Sequence, residues 1–287
     1  MQVSLTISGF TRLFGGDLRA VLDAARAADA AGIDQLVLPD HVVMGPRTDR
    51  YPFGTFPYPN EEPWPEPLTL LAAIAAVTER VRLATGILIS PLRPATLLAK
   101  SAATLDRISH GRLDLGVGIG WQREEYEAQG IPWSERRVRF EDQLRACVAL
   151  WTRTPPVTFT STTVSFGPTW CEPRPVQQPI PLWFGVAATE VNVALMRELG
   201  AGWMPIHTTT RSELAAGIAA LPPRFPVRAY IPMRTHDDGS VDEPATRDAI
   251  ASYAELGVSM ASVGLGRNLT NSGDVGAFVE SVARAFH

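Results

Sequence analysis

Lysine and cysteine are both scarce in this chain of 287 residues. Lys100 is the single lysine among 26 basic residues, and the net charge of −4 argues against nucleic acid as the main partner. The two cysteines, Cys147 and Cys171, lie far apart and lack the spacing of metal ligands. We therefore expect neither a disulfide framework nor a metal site, and a reduced cytoplasmic setting fits.

Long hydrophobic runs are also missing. The most apolar stretch, residues 68–77, is too short to span a bilayer. The first residues show no basic segment followed by an apolar one, which is the pattern of a signal peptide. We therefore expect no export and no membrane partner. The chain has no HExxH, P-loop or GxSxG motif, which removes support from metalloprotease, NTPase and serine hydrolase functions.

Short β-branched runs alternate with amphipathic runs rich in alanine, leucine and arginine along the chain. With 45 % hydrophobic residues, such a chain can bury a large core. The pattern predicts strands at 3–8, 33–38, 81–89, 112–117, 182–185, 202–205, 227–232 and 259–264. It predicts helices at 17–31, 67–78, 95–108, 136–151, 189–199, 212–221, 243–256 and 274–286.

Strands that alternate with helices pair in parallel, because each crossover returns the chain in the same direction. This many units in one chain favour a single (β/α)8 TIM barrel over residues 1–287, with an open doubly wound sheet as the alternative. Two long insertions interrupt the repeat, at 42–64 after the second strand and at 152–181 before the fifth. The first is a candidate lid over the catalytic face, and the second is functional or carries small extra strands.

Asp40 and His41 directly follow the second predicted strand, so their side chains would reach the mouth of a barrel. A histidine exchanges protons near neutral pH, and a neighbouring carboxylate can hold its tautomer. Alternatively, Asp40 caps backbone amides in a turn. His207, just past the sixth predicted strand, is a weaker second candidate for proton transfer.

Glycines mark three further places where a ligand could approach. Gly86 at the end of the third strand admits a close backbone or a planar ligand, unless it is merely tolerated in a buried strand. Residues 116–121 read GVGIGW, which lacks the spacing of a dinucleotide fingerprint but suits a flat ring; Trp121 would stack on that ring or fill the core. The turn at 185–189 would present free amides to a phosphate, or be a tight turn without a ligand.

The first insertion holds a set of aromatic residues. They could line a pocket for an apolar substrate, or form a small satellite core on the barrel. The set comprises Tyr51, Phe53, Phe56, Tyr58 and Trp64.

Several segments together resemble the luciferase-like monooxygenase family. Besides residues 67–78, they are VLPDH (37–41), RVRLATGIL (80–88), LDRISHGR (105–112), GVGIGW (116–121), EEY (124–126), PRPVQ (173–177) and PLWFG (181–185). The resemblance covers most of the chain and is closest to the branch that uses the deazaflavin coenzyme F420, while sister branches use FMN. It implies a barrel, usually dimeric, with the cofactor ring in its mouth.

The resemblance also implies site residues. A non-proline cis peptide against the ring maps onto Gly86 and Ile87, and the strand-four glycines map onto Gly118 and Gly120. The phosphate turn maps onto Gly185, Val186 and Ala187, with Val186 where many relatives have a second glycine. Trp121 stands where the sugar-phosphate dehydrogenases of the family have a glutamate, which argues against their reaction.

On this resemblance we expect a coenzyme F420-dependent oxidoreductase that transfers a hydride between the deazaflavin and a small organic substrate. His41 would donate or accept the proton, Asp40 would orient His41 and contact the cofactor, and Trp121 would contact the ring. Alternatives are an FMN-dependent monooxygenase of the same family, a non-redox barrel hydrolase using Asp40 and His41, and a cofactor carrier without catalysis. We expect a homodimer with a small-molecule substrate.

Overall fold

The computed structural model describes residues 1–236, 241–269 and 274–286. Short buried runs form parallel strands that make up the wall of a barrel. They are β1 (Gln2–Thr6), β2 (Gln35–Leu38), β3 (Arg82–Thr85), β4 (Leu88–Ile89), β5 (Leu113–Gly118), β8 (Leu182–Phe184), β9 (Gly202–Trp203), β10 (Arg228–Tyr230) and β11 (Met260–Gly264), with β6 (Val157–Thr160) and β7 (Ser165–Thr169) in a separate hairpin.

The strand order in the wall is β10-β11-β1-β2-β3-β5-β8-β9, and β4 pairs with β5. A parallel bridge between Trp203 and Val227 connects β9 to the residue before β10, so the ring of strands is nearly closed. This confirms the predicted barrel over the open-sheet alternative. The third predicted strand is divided into β3 and β4 by a cis peptide bond between Gly86 and Ile87, as the resemblance implied.

Helices surround the wall. They are α1 (Phe10–Phe14), α2 (Leu18–Ala31), α3 (Pro67–Ala75), α4 (Ala95–Ile108), α5 (Arg123–Ala128), α6 (Arg136–Thr152), α7 (Glu190–Leu199), α8 (Arg211–Ala220), α9 (Glu243–Glu255), α10 (Leu265–Asn268) and α11 (Val275–Phe286). None of the helices in the described part of the chain is both long and apolar enough to cross a membrane.

The local sequence explains where these helices begin and end. Asp17 caps α2 by accepting a hydrogen bond from the Arg19 amide, and Gly32 ends it in the left-handed conformation (φ 84°). All eight predicted helices are present with ends shifted by a few residues, whereas the short helices α1, α5 and α10 were not predicted. They contain too few residues for a hydrophobic period to be visible.

The two insertions fold differently. Apart from a single turn of 3-10 helix (Thr48–Arg50), the first has no regular structure. The second carries the antiparallel hairpin β6–β7, which confirms the prediction of small extra strands. The hairpin tip is attached to α6, because the amide and hydroxyl of Thr163 both donate to Asp142 Oδ2 at 2.8 Å.

Candidate active site

A cavity of about 640 Å³ opens at the carboxyl ends of the barrel strands. Its size lies in the range of small-molecule and cofactor sites. Residues in or directly after each of the nine strands of the barrel wall, together with the first insertion, contribute to the lining of the cavity. Among the predicted site residues, the wall includes Asp40, His41, Gly86, Ile87, Gly120, Trp121, Gly185 and Val186; His207 lies there as well.

His41 is held by a carboxylate from α5. Its Nδ1 lies 3.1 Å from Glu125 Oε2, and the Glu125 side chain is fully buried. The second oxygen of Glu125 accepts a hydrogen bond of 2.8 Å from the Val42 amide, so the carboxylate is fixed in place. If Nδ1 carries the proton that binds Glu125, Nε2 is the nitrogen left to exchange a proton with a ligand.

The hydrogen bonds of Asp40 run to Arg93 and Ile89 and not to His41, which differs from the orienting role predicted from the sequence. Both Asp40 oxygens bind Arg93, at 2.7 and 3.0 Å, and one also accepts the Ile89 amide at 2.8 Å. The Asp40 carboxylate is thereby committed to the chain just beyond the cis peptide. Arg93 also binds Glu66 at 3.0 Å, and these two carboxylates raise the pKa of its guanidinium despite burial. Asp40 therefore anchors the wall of the cavity.

The aromatic residues of the first insertion form one cluster with Trp121 and His41. Ring centroids of Trp64 and Phe56 lie 4.8 and 5.9 Å from that of His41, with the rings edge to face. Tyr51 contacts Trp121 at 5.2 Å. Tyr51, Phe53, Phe56, Tyr58 and Trp64 all line the cavity. The insertion thus forms an apolar roof over His41, and the pocket interpretation agrees with the structure better than a separate satellite core.

Three of the glycines are required by side chains next to the cis peptide. A Cβ on Gly118 or Gly185 would lie 2.8 or 2.2 Å from the Ile87 side chain, and one on Gly120 would lie 2.9 Å from Ile89. Gly120 also has a positive φ of 75°, which favours glycine. Gly118 is buried against Ile87 and does not line the cavity. The missing side chain of Gly118 therefore makes room for Ile87 and not for a ligand.

The turn before α7 joins the cavity to a helix N-terminus. Gly185 and Val186 line the cavity, whereas Ala187 is exposed and outside its lining. Asn192 donates to the Ala187 carbonyl at 2.8 Å and accepts a hydrogen bond from Arg137. Arg137 Nη2 is buried and has no hydrogen-bond partner among the described residues. The turn therefore combines helix amides with a guanidinium that was not predicted, a combination that suits an anion.

Arg228 occupies the floor of the cavity and is 5 % exposed. Its guanidinium donates to Gln35 and contacts Met204. Gln35 in turn donates to Asp114 at 2.6 Å, but Asp114 is already bound by Arg82 at 2.6 Å. Burial lowers the pKa of Arg228 to about 10, so the group stays charged at neutral pH. Arg82 thus binds Asp114 directly, whereas Arg228 is connected to this carboxylate through Gln35.

The sequence profile of the luciferase-like monooxygenase family matches residues 3–225. That match covers more than half of the chain. The chain belongs to this family.

The chain is 32 % identical to an uncharacterized protein of Mycobacterium tuberculosis over 278 residues, which is 91 % of each chain. A shorter segment of the chain is similar in sequence to an FMNH2-dependent dimethylsulfone monooxygenase of Pseudomonas putida. It is 35 % identical over 119 residues, or 40 % of this chain and 32 % of that protein.

Solved structures with this luciferase-like fold agree over nearly the whole chain. Monooxygenase RslO1 from Streptomyces bottropensis superposes with a TM-score of 0.81 at 21 % identity, covering 99 % of this chain and 98 % of that one. The F420-dependent tetrahydromethanopterin reductase from Methanopyrus kandleri gives 0.69 at 16 % identity with the same coverage. At these identities the likeness shows the fold. Luciferase-like proteins are F420- or flavin-dependent oxidoreductases and monooxygenases, so the chain is an enzyme of this kind.

The charged residues of this luciferase-like site that sequence reasoning missed include Glu125, Arg93, Arg137 and Arg228. Glu125 lies in the EEY segment that carried part of the resemblance, but its role requires knowing that α5 folds back toward His41. The other three reach the site from elements distant in sequence. No group of three or more His, Cys, Asp or Glu side chains within residues 1–236, 241–269 and 274–286 is arranged to hold a metal ion.

Proposed function

We propose that this enzyme is a coenzyme F420-dependent oxidoreductase that transfers a hydride between the deazaflavin and a small organic substrate. The observation that carries the proposal is the pairing of His41 with the buried Glu125 in the wall of a large, mostly apolar cavity. A hydride transfer to or from a carbonyl or alkene carbon must be accompanied by a proton. A histidine held by a carboxylate is well suited to supply it.

The residues present fit a deazaflavin or flavin. The cavity has room for a flat fused ring, and Gly86, Gly120 and Gly185 line it without side chains of their own. The turn at Gly185 and Val186, with Arg137 behind it, suits a phosphate. The bound group would supply the hydride chemistry, and the protein would supply position and electrostatics.

Each part of the chain then has a separate task. His41 holds or releases the proton through Nε2, while Glu125 keeps Nδ1 engaged. Arg93 and Asp40 keep the backbone beyond the cis peptide in place. The roof of Trp64, Phe56 and the neighbouring rings excludes water from the substrate, which strengthens the polar contacts inside the cavity.

An FMN-dependent monooxygenase is the second candidate, because the matched segment of the Pseudomonas putida relative belongs to an FMNH2-dependent enzyme. It would keep the same cavity and the same phosphate turn. The cofactor distinguishes the two functions.

The test is a tryptophan-fluorescence titration of the protein with F420 and, separately, with FMN. Trp64, Trp121 and Trp133 line the cavity, so a bound ring should quench them. Saturable quenching by F420 alone supports the proposal and justifies a substrate screen with reduced F420. Preference for FMN supports the monooxygenase. If neither compound binds, both cofactor proposals fail, and a hydrolase or another non-redox activity must be sought.

A further inference from the structure

A second cleft, of about 460 Å³, lies on the outer side of the barrel. It is bounded by the N-terminus of α4, by α6, and by the tip of the hairpin β6–β7. Arg93, which binds Asp40, also lines this cleft. No acidic residue lines the cleft, whereas Arg93 and Arg139 both do. Asp40, Glu66 and Glu135 balance these two guanidinium charges from outside the cleft, so its preference for an anion rests on hydrogen-bond donors.

The N-terminus of α4 adds to this preference. Pro94 is the N-cap residue of this 14-residue helix and makes no side-chain cap hydrogen bond. Pro94, Ala95 and Thr96 line the cleft. The first turn of α4, whose amides have no acceptor within the helix itself, therefore borders an open space next to two arginines.

Two buried polar atoms at the cleft lack partners in the described part of the chain. Arg139 binds Glu135 through Nη1 at 3.2 Å, but its Nε is buried and unpaired. Gln143 is 2 % exposed, and its Nε2 donates to the Pro91 carbonyl at 3.5 Å. The Gln143 Oε1 has no donor. An unpaired buried polar group destabilises the folded protein, so a ligand that satisfies both atoms would gain affinity.

We propose that this cleft is a binding site for a small oxoanion that carries its own hydroxyl group, with hydrogen phosphate as the smallest example. Its oxygens accept from Arg139 Nε and from the first-turn amides of α4. Its hydroxyl donates to Gln143 Oε1. The site is separate from the catalytic cavity and does not depend on which cofactor that cavity binds.

The Gln143 acceptor makes the proposal specific, because it distinguishes phosphate from sulfate. Near neutral pH, phosphate retains a P–OH donor and sulfate has none. Isothermal titration of the full-length protein with inorganic phosphate and with sulfate measures the difference. We expect phosphate to bind at least about tenfold more tightly, which corresponds to one hydrogen bond of about 1.4 kcal/mol.

Three variants locate the site. Gln143→Leu should remove the preference for phosphate over sulfate, and Arg139→Gln should weaken both anions by about tenfold. Arg145→Gln is the matched control, since Arg145 lies on the same helix but binds Glu198 and Glu141 away from the cleft. It should change neither affinity.

Other results would overturn the proposal. Equal binding of phosphate and sulfate by the wild-type protein would show that Gln143 receives no donor from the ligand. Phosphate binding that survives both Gln143→Leu and Arg139→Gln would assign it to another place, such as the turn before α7. Absence of saturable binding by either anion would remove the site altogether. Because Arg139 is partly exposed, its variant stays informative even if Gln143→Leu misfolds.

Discussion

The two insertions of this barrel are both long and rich in proline, yet they lie in different places and do different work. Residues 42–64 follow β2, and all five of their large aromatic rings line the cavity. Residues 152–181 follow α6 and contain a hairpin that packs against that helix. The hairpin forms one side of the outer cleft. Similar composition therefore produced an active-site roof in one case and an external support in the other.

The difference comes from where each insertion leaves the barrel. A segment that follows a parallel strand starts at the mouth, beside the ends of the neighbouring strands. A segment that follows a helix starts on the opposite side and must run along the outside to reach the mouth. The hydrogen bonds that hold the two insertions differ in the same way. Asp40 ties the chain before the first insertion to Arg93, and Asp142 ties the hairpin tip to α6.

The largest effect should come from the residue next to the first insertion. His41→Gln should lower turnover by about 100- to 10,000-fold, because it removes a general acid or base. Cofactor affinity should hardly change, which fluorescence titration would check. Wild-type turnover in this variant would remove His41 from the mechanism.

Glu125→Gln should lower turnover by about 10- to 100-fold, since a hydrogen bond to a charged group is worth about 1.5–3 kcal/mol. Comparison with Asp40→Asn shows which of the two carboxylates, Glu125 or Asp40, orients His41. If Asp40 and not Glu125 oriented His41, the ranking of turnover losses between these two variants would be reversed.

Asp40→Asn should chiefly affect stability. It leaves Arg93 with Glu66 as its remaining carboxylate, so we expect the free energy of unfolding to fall by about 2–3 kcal/mol, less than for an isolated buried pair. Urea denaturation measures this. Asp49→Asn in the first insertion, which breaks the exposed pair with Arg47, is the control and should leave stability unchanged. A similar loss in both variants would mean that burial of the Asp40 pair is unimportant.

Trp64→Ala tests the roof. Its ring packs against His41 and Tyr58, with centroids 4.8 and 5.1 Å apart. Losing these contacts should weaken cofactor or substrate binding by about tenfold, in keeping with the 0.5–1.5 kcal/mol of an aromatic pair. Unchanged affinities for cofactor and substrate would show that the first insertion is a satellite core and not part of the site.

Phe159→Ala, in the second insertion, should have the smallest effect. Phe159 stacks on Phe166 at 5.8 Å within the hairpin, so we expect a stability loss of about 1 kcal/mol. Cofactor affinity should match that of the wild-type protein. A loss of cofactor binding comparable to that of Trp64→Ala would erase the functional difference between the two insertions.

Much of the fold was predictable because its signals are local. Apolar periods identified every long helix, and capping residues such as Asp17 and Gly32 marked the ends of α2. The break in the third strand was expected only through the family resemblance. The segment 81–89 (VRLATGILI) reads as one strand, and nothing in its pattern predicts a cis bond at Gly86.

The site was predicted less completely than the fold. His41, Trp121 and the turn at Gly185 do line the cavity, and their positions follow from strands that end at one face of a barrel. Adjacency in the chain suggested Asp40 as the partner of His41, whereas the structure places the Glu125 carboxylate against its Nδ1. Consecutive residues leaving a strand point in different directions, so these two side chains enter different networks.

The sequence by itself determined the order of strands and helices, the barrel they build and the family to which the chain belongs. These properties depend on hydrophobic period, capping and short motifs, each contained within a few neighbouring residues. Only the tertiary structure decided that Glu125 holds His41, that Arg93 holds Asp40, and that Arg139 and Gln143 face a second cleft. Such pairings join residues from separate elements, and their distances exist only once the elements have packed together.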